Sequence, residues 1–166
     1  VDKSAKEKIE ELKLLKLSIN FSASEFACPC CGEAKIKGAL IKALEQLRKE
    51  IGDKPITVTS GYRCKEYNEK IGGAPNSAHV RGLAADIACS SVPLRTLFYK
   101  AESIPHFKDA GVGLYPDNNF VHVDVYRGGP KRWGRTRAAG YTSLEAAFAR
   151  LDEIEKNQPK KKGAKP

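Results

Sequence analysis

The stretch FVHVDV, residues 120–125, alternates side chains that belong in different surroundings: Val121, Val123 and Val125 at one parity, Phe120, His122 and Asp124 at the other. Successive side chains of an extended strand point to opposite faces, so one face here is apolar and the other carries an imidazole and a carboxylate side by side. The valines face a core. The opposite face of the sheet is then the place for a cleft.

The remaining elements supply the cover for such a sheet. Residues 37–51, KGALIKALEQLRKEI, put Leu40, Ala43, Leu44, Leu47 and Ile51 on one stripe, a helix that Gly52 ends. Residues 3–17 read as an amphipathic N-terminal helix, and SASEF as a serine-capped short helix start before a cysteine loop. Ile56 to Thr59 form a β-branched strand, residues 68–79 an irregular Gly/Pro/Asn-rich loop, 92–104 a helix and 109–115 a strand. A last amphipathic helix begins after Thr142 or Ser143. Without regular βαβ alternation, these elements predict an α+β domain: a small antiparallel sheet flanked by helices.

The 166 residues suit one domain with tails. The expected layout is the amphipathic helix within residues 1–20, a folded domain over 21–157 and a basic disordered tail over 158–166. No apolar run is long enough to cross a bilayer, and no signal peptide is visible in the given chain. With 29 Lys and Arg against 20 Asp and Glu, the net charge of +9 favours polyanionic surroundings such as nucleic acid, anionic lipid or bacterial cell wall. No aromatic-and-basic platform, zinc finger or recognition-helix pattern is present, so no specific nucleic-acid partner is expected. The five cysteines, an odd number, cannot all pair within one chain. CPCCG looks like half of a zinc ribbon lacking its second CxxC, so one disulfide or simple burial is expected ahead of a structural metal.

The segment SAHVRGLAADI sets His79 seven positions before Asp86. On a straight strand the two would lie roughly 23 Å apart on opposite faces. A continuous helix would separate them by about 10 Å along its axis with side chains parallel. A reversal near Gly82, which tolerates backbone angles closed to other residues, brings them together. His and Asp are both first-row metal ligands, and a catalytic zinc site needs a third. Of the other two histidines, His106 sits at a helix end or loop while His122 lies on the polar face of the best-defined strand, so His122 is the expected third ligand. Asp124 is within about 7 Å of it along the strand, a reach compatible with a base acting on metal-bound water.

SAHVRGLAADI resembles the SxHxxGxAxD signature of the M15 zinc peptidases, the group of D-alanyl-D-alanine carboxypeptidases and phage endolysin peptidases. TSGYRC is similar to the family's upstream SGYR segment, and GVGLYPDNNFVHVDVYRGGPKRW to its GxGxY, FVHVD and RW segments; the likeness runs from about Phe21 to Trp133. The resemblance implies a hedgehog/DD-peptidase-like fold, one Zn2+ and cleavage of a peptide bond in the stem or cross-link peptides of peptidoglycan. It places His79, Asp86 and His122 at the zinc-ligand positions, Arg63 at an arginine that binds a substrate carboxylate, Ser77 at the motif serine and Trp133 at a cleft wall. Better-known members carry an Asp or Glu three residues before the last zinc histidine. Here that position is Asn119, which cannot act as a base, so Asp124 of the HVD branch is the natural candidate and Asp117 the fallback. The implied enzyme is a monomer of the cell wall or periplasm, or a phage-associated one. The competing reading is a zinc-stabilised binding or structural module without turnover.

Overall fold

The structure, a computed structural model, describes residues 3–157; the basic tail expected at 158–166 lies outside the described residues. Six strands form one sheet in the order β1 (Thr57–Ser60), β2 (Ala84–Ala88), β4 (Phe120–Asp124), β3 (Gly111–Tyr115), β5 (Lys131–Thr136), β6 (Gly140–Thr142). Every neighbouring pair is antiparallel except β3 with β5, which run parallel, so the α+β class holds and the sheet is mixed.

The alternation in the sequence decides the two faces. Val121 and Val123 of β4, Ala85 and Ile87 of β2, and Val112 and Leu114 of β3 are fully buried in the main apolar core. That core lies beneath α2 (Gly38–Glu50), α4 (Leu94–Ser103), α5 (Pro105–Lys108) and α6 (Leu144–Asn157). The stripe of α2 is as expected: Leu40, Ala43, Leu44, Leu47 and Ile51 are all buried, and Gly52 ends the helix at φ +74. Burying a Leu, Ile or Val side chain contributes about 1.5–3 kcal/mol, so these positions hold the helices on the sheet. Val125, just past the end of β4, is half-buried and packs against the edge of the core.

Three differences from expectation have local causes. The N-terminal helix α1 (Ala5–Leu12) is shorter than residues 3–17, because the chain after it pairs backward: Leu17 donates to the Phe21 carbonyl (2.9 Å) and Ala23 to that of Leu15 (2.8 Å). The unanticipated helix α3 (Lys65–Lys70) is short and polar, and the sulfur of Cys64 caps it by accepting from the Tyr67 N–H. Strand β5 has no clean alternation; it is recruited by its backbone, parallel to β3, while Gly134 lets Ala147 of α6 pack closely against it.

Candidate metal centre

The register of the sheet lines up one row across five strands. Ser60 pairs with Asp86, Asp86 with His122, His122 with Gly113, and Gly113 with Trp133. All these positions share the face opposite the helices, and Asp86, His122 and Trp133 of the row line a cleft of about 570 Å³. His79 enters from the side. A turn from Ser77 to Gly82, closed by Val80 N–H to the Ser77 carbonyl (3.1 Å) and Gly82 N–H to the His79 carbonyl (3.1 Å), delivers it. Gly82 then reverses the chain into β2 at φ +67, a conformation costly for other residues, and a side chain there would strike the Lys35 carbonyl.

Three donor atoms converge: His79 Nε2 lies 3.3 Å from Asp86 Oδ1 and 3.2 Å from His122 Nδ1, and His122 Nδ1 lies 2.9 Å from the same Oδ1. Donors about 2.0–2.1 Å from a tetrahedral zinc are spaced roughly 3.3 Å apart, so the trio has the dimensions of one face of such a tetrahedron. All three residues are buried. Each is also held from behind. His79 Nδ1 is 2.7 Å from the Gly61 carbonyl and donates to it, which leaves Nε2 as the lone pair facing the other donors. His122 Nε2 is 3.3 Å from Asp124 Oδ2, which likewise frees Nδ1. Asp86 offers Oδ1 to the trio while Oδ2 accepts from Arg63 Nη2 at 2.8 Å.

The electrostatics favour a cation here. Burial works against charge on His122, yet Asp124 and Asp86 outweigh it and lift its pKa to about 9. Burial would raise Asp86, but hydrogen bonds from His122 and His79 hold it well below the usual carboxylate range. His79 is pushed below its ordinary value by burial, against the pull of Asp86. Two carboxylates thus flank two imidazoles, a donor set that fits zinc.

The other residues singled out in the sequence divide. Arg63 lines the cleft; its Nε donates to Ser60 Oγ (2.9 Å) and Nη2 to Asp86, while Nη1 makes no hydrogen bond to the described residues. Ser77 lines it too, its Oγ accepting from the His79 N–H (3.3 Å). Trp133 forms a wall with its ring centroid 5.2 Å from that of His122 and its Nε1 donating to the Tyr115 hydroxyl (3.2 Å). Asp124 lies behind His122, on the edge of the ring away from the trio, and its Oδ1 accepts from the N–H groups of Gly111 (3.1 Å) and Tyr126 (2.9 Å). Burial opposes its ionisation, but His122 and these N–H groups keep it below the ordinary aspartate value.

The fallback base Asp117 is corrected by the structure: it is outside this cleft, accepting from the Arg137 N–H and from Arg150 Nε, both at 2.8 Å. Asn119 lines that same second cavity, between the start of α4 and α6. His106 is exposed on α5. Two contributors escaped the sequence reading. The Gly61 carbonyl has no side-chain signature at all. Gly113 is needed because a Cβ there would lie 2.5 Å from Trp133 Cε2, and the GxG spacing of β3 was its only trace.

The family model described as Peptidase M15 matches residues 12–124. The chain is 38% identical over 80 residues to the zinc D-Ala-D-Ala carboxypeptidase of Streptomyces albus G, covering 48% of this chain and 31% of that protein. It is 40% identical over 82 residues to the probable peptidoglycan L,D-endopeptidase MepK of Haemophilus influenzae, covering 46% and 41%. Against the peptidoglycan L,D-endopeptidase MepK of Escherichia coli K12 it is 34% identical over 103 residues, covering 58% and 53%. The chain therefore spans about a third to a half of the length of these relatives.

Proposed function

Since the chain belongs to the M15 peptidase family, we propose that it is a zinc-dependent peptidase that hydrolyses a peptide bond in the stem or cross-link peptides of bacterial peptidoglycan, working as a monomer outside the cytoplasm. The observation that carries this reading is the convergence of His79 Nε2, Asp86 Oδ1 and His122 Nδ1 at 2.9–3.3 Å on the floor of an open cleft. The names of the relatives, zinc D-Ala-D-Ala carboxypeptidase and peptidoglycan L,D-endopeptidase, support it. Zinc at such a donor set supplies ionisation of water near pH 7 and polarisation of a peptide carbonyl.

The chain's own residues divide the remaining work. Arg63 fixes Asp86 through Nη2 and presents Nη1 to the cleft, where it binds a carboxylate of the stem peptide and sets the scissile bond over the metal. Trp133 and Phe120 give the peptide an apolar wall, and Ser77 holds the turn that carries His79. Asp124 accepts the Nε2 proton of His122 and so keeps Nδ1 free for metal. Its place behind the ring supports this positioning role over the expected one as base. The net charge of +9 draws the protein to an anionic wall.

The test is mass spectrometry of fragments released from purified peptidoglycan, with chelator and with zinc restored. New amine-bearing stem fragments that disappear with chelator and return with zinc are the expected result. No release from the zinc-loaded protein would reject the hydrolase reading.

A further inference from the structure

A second cluster of metal-binding atoms lies apart from the cleft. The sulfurs of Cys28, Cys31 and Cys64 are all within 4.8 Å of one another. Cys28 and Cys64 sulfurs are 3.7 Å apart, well beyond the roughly 2.05 Å of a disulfide, and all five cysteines are free thiols. The sequence hid this group because its third member is not in a second CxxC; it comes from the TSGYRC segment, 33 residues after Cys31.

Backbone N–H groups face two of the three sulfurs. Cys28 Sγ accepts from the Cys64 N–H (3.4 Å). Cys64 Sγ accepts from the Tyr67 N–H (3.4 Å) at the start of α3. The Cys28 loop closes on itself through Gly32 N–H to the Cys28 carbonyl (2.8 Å), with Gly32 at φ +73. Tyr62, Ile36 and Tyr67 pack around the sulfurs. Neutral thiols are weak acceptors with little need of N–H donors, whereas thiolates bound to a cation are stabilised by them.

We infer that Cys28, Cys31 and Cys64 form a second metal site, taking a thiophilic divalent ion such as zinc, with a structural role. A fourth donor comes from water. The site ties the loop of residues 28–32 to residues 61–64, where Tyr62 N–H already meets the Phe26 carbonyl (2.8 Å). That second segment carries the Gly61 carbonyl behind His79 and the Arg63 guanidinium behind Asp86. The thiolate site therefore braces the outer contacts of the cleft centre. It stands on the sulfur geometry alone and not on the proposed hydrolysis.

The experiment counts metals in the full chain prepared with zinc under reducing conditions, and records spectra of the cobalt-substituted protein. Two metals per chain are expected, with a sulfur-to-cobalt charge-transfer band in the near ultraviolet. His79→Ala loses one metal and keeps the band; Cys31→Ser, at a half-buried position that tolerates the change, loses the other metal and the band. A single metal with the band, in wild type and His79→Ala alike, supports the thiolate site and removes the ground for the hydrolase. Cobalt-loaded wild type without the band overturns the inference, independently of whether any variant folds. So does a Cys28–Cys64 disulfide in peptide maps of protein alkylated at lysis.

Discussion

The two three-donor clusters are held in opposite ways. In the cleft, Asp86 and His122 face each other in sheet register, and each donor is fixed from behind by Arg63, Asp124 or the Gly61 carbonyl. The cysteine cluster joins two loops, with backbone N–H groups at two of its sulfurs and Tyr62, Ile36 and Tyr67 packed around them. In the first, sheet register and outer hydrogen bonds position the donors, so an ion there adds chemistry. In the second, the ion is itself the cross-link, so it adds stability. Hydrogen bonding that fixes a ligand and a metal that fixes a loop are different uses of the same coordination chemistry.

The sharpest way to break this contrast is His122→Ala. A Lewis acid is worth several kcal/mol at a polarised carbonyl, so losing it lowers the release of stem fragments by about 10³-fold or more. The circular dichroism spectrum and the cobalt–thiolate band stay as in wild type. Loss of both activity and fold together would show that the cleft centre, too, is a structural cross-link.

Asp124→Asn probes the contact behind the ring. Removing an outer partner of a ligating histidine typically costs 10–100-fold in metal affinity or activity. The expected outcome is weaker zinc binding in competition with a chromophoric chelator, with activity partly recovered at high zinc. Unchanged zinc affinity with a large fall in turnover at saturating zinc would instead return Asp124 to the role of base.

Gly113→Ala acts on the cleft wall and leaves the ligands alone. The added Cβ meets Trp133, so the indole must move from its place beside His122. Overpacking of this kind costs roughly 1–3 kcal/mol. A lower melting temperature and a shifted emission from the chain's one tryptophan are expected, with both metals retained. An unchanged emission spectrum would mean that the wall is softer than the sheet register suggests.

Much of this is legible in the sequence, and the physical reason is periodicity. Val121 and Val123 against His122 and Asp124 declare two faces of one strand, and α2 declares its stripe through Leu40, Leu44 and Leu47. A straight strand or helix would keep His79 and Asp86 apart, so their meeting needs the reversal that Gly82 permits, and the resemblance to the M15 motif is what places both on one ion. What the sequence withheld lacks a period. The parallel pairing of β3 with β5 is made by backbone groups, the Gly61 carbonyl is the same atom in any residue, and the meeting of Cys64 with Cys28 depends on how two loops dock. The direction in which Asp124 points was also hidden: alternation assigns a side chain to a face and says nothing of which edge of its neighbour it will meet.

The smallest expected effect lies far from both clusters. Asp117 accepts from the Arg137 N–H and from Arg150, tying the turn before β4 to α6. The Arg137 N–H, ahead of burial and Arg150, holds its carboxyl below the ordinary value, which is about 3.9 in an unfolded chain. A depressed folded pKa contributes stability that is fully present above the unfolded value and is lost as pH falls through the folded one. Since Arg150 is partly exposed, the ion pair itself is discounted. Asp117→Asn should thus lower the melting temperature by about 2 °C at pH 7, with the gap to wild type closing toward pH 3. Melts of chelated protein across that range read it directly, because both chains then lose their cleft metal alike. A gap that does not narrow as pH falls below about 3.9 would assign the effect to packing around the turn and not to the charge of Asp117.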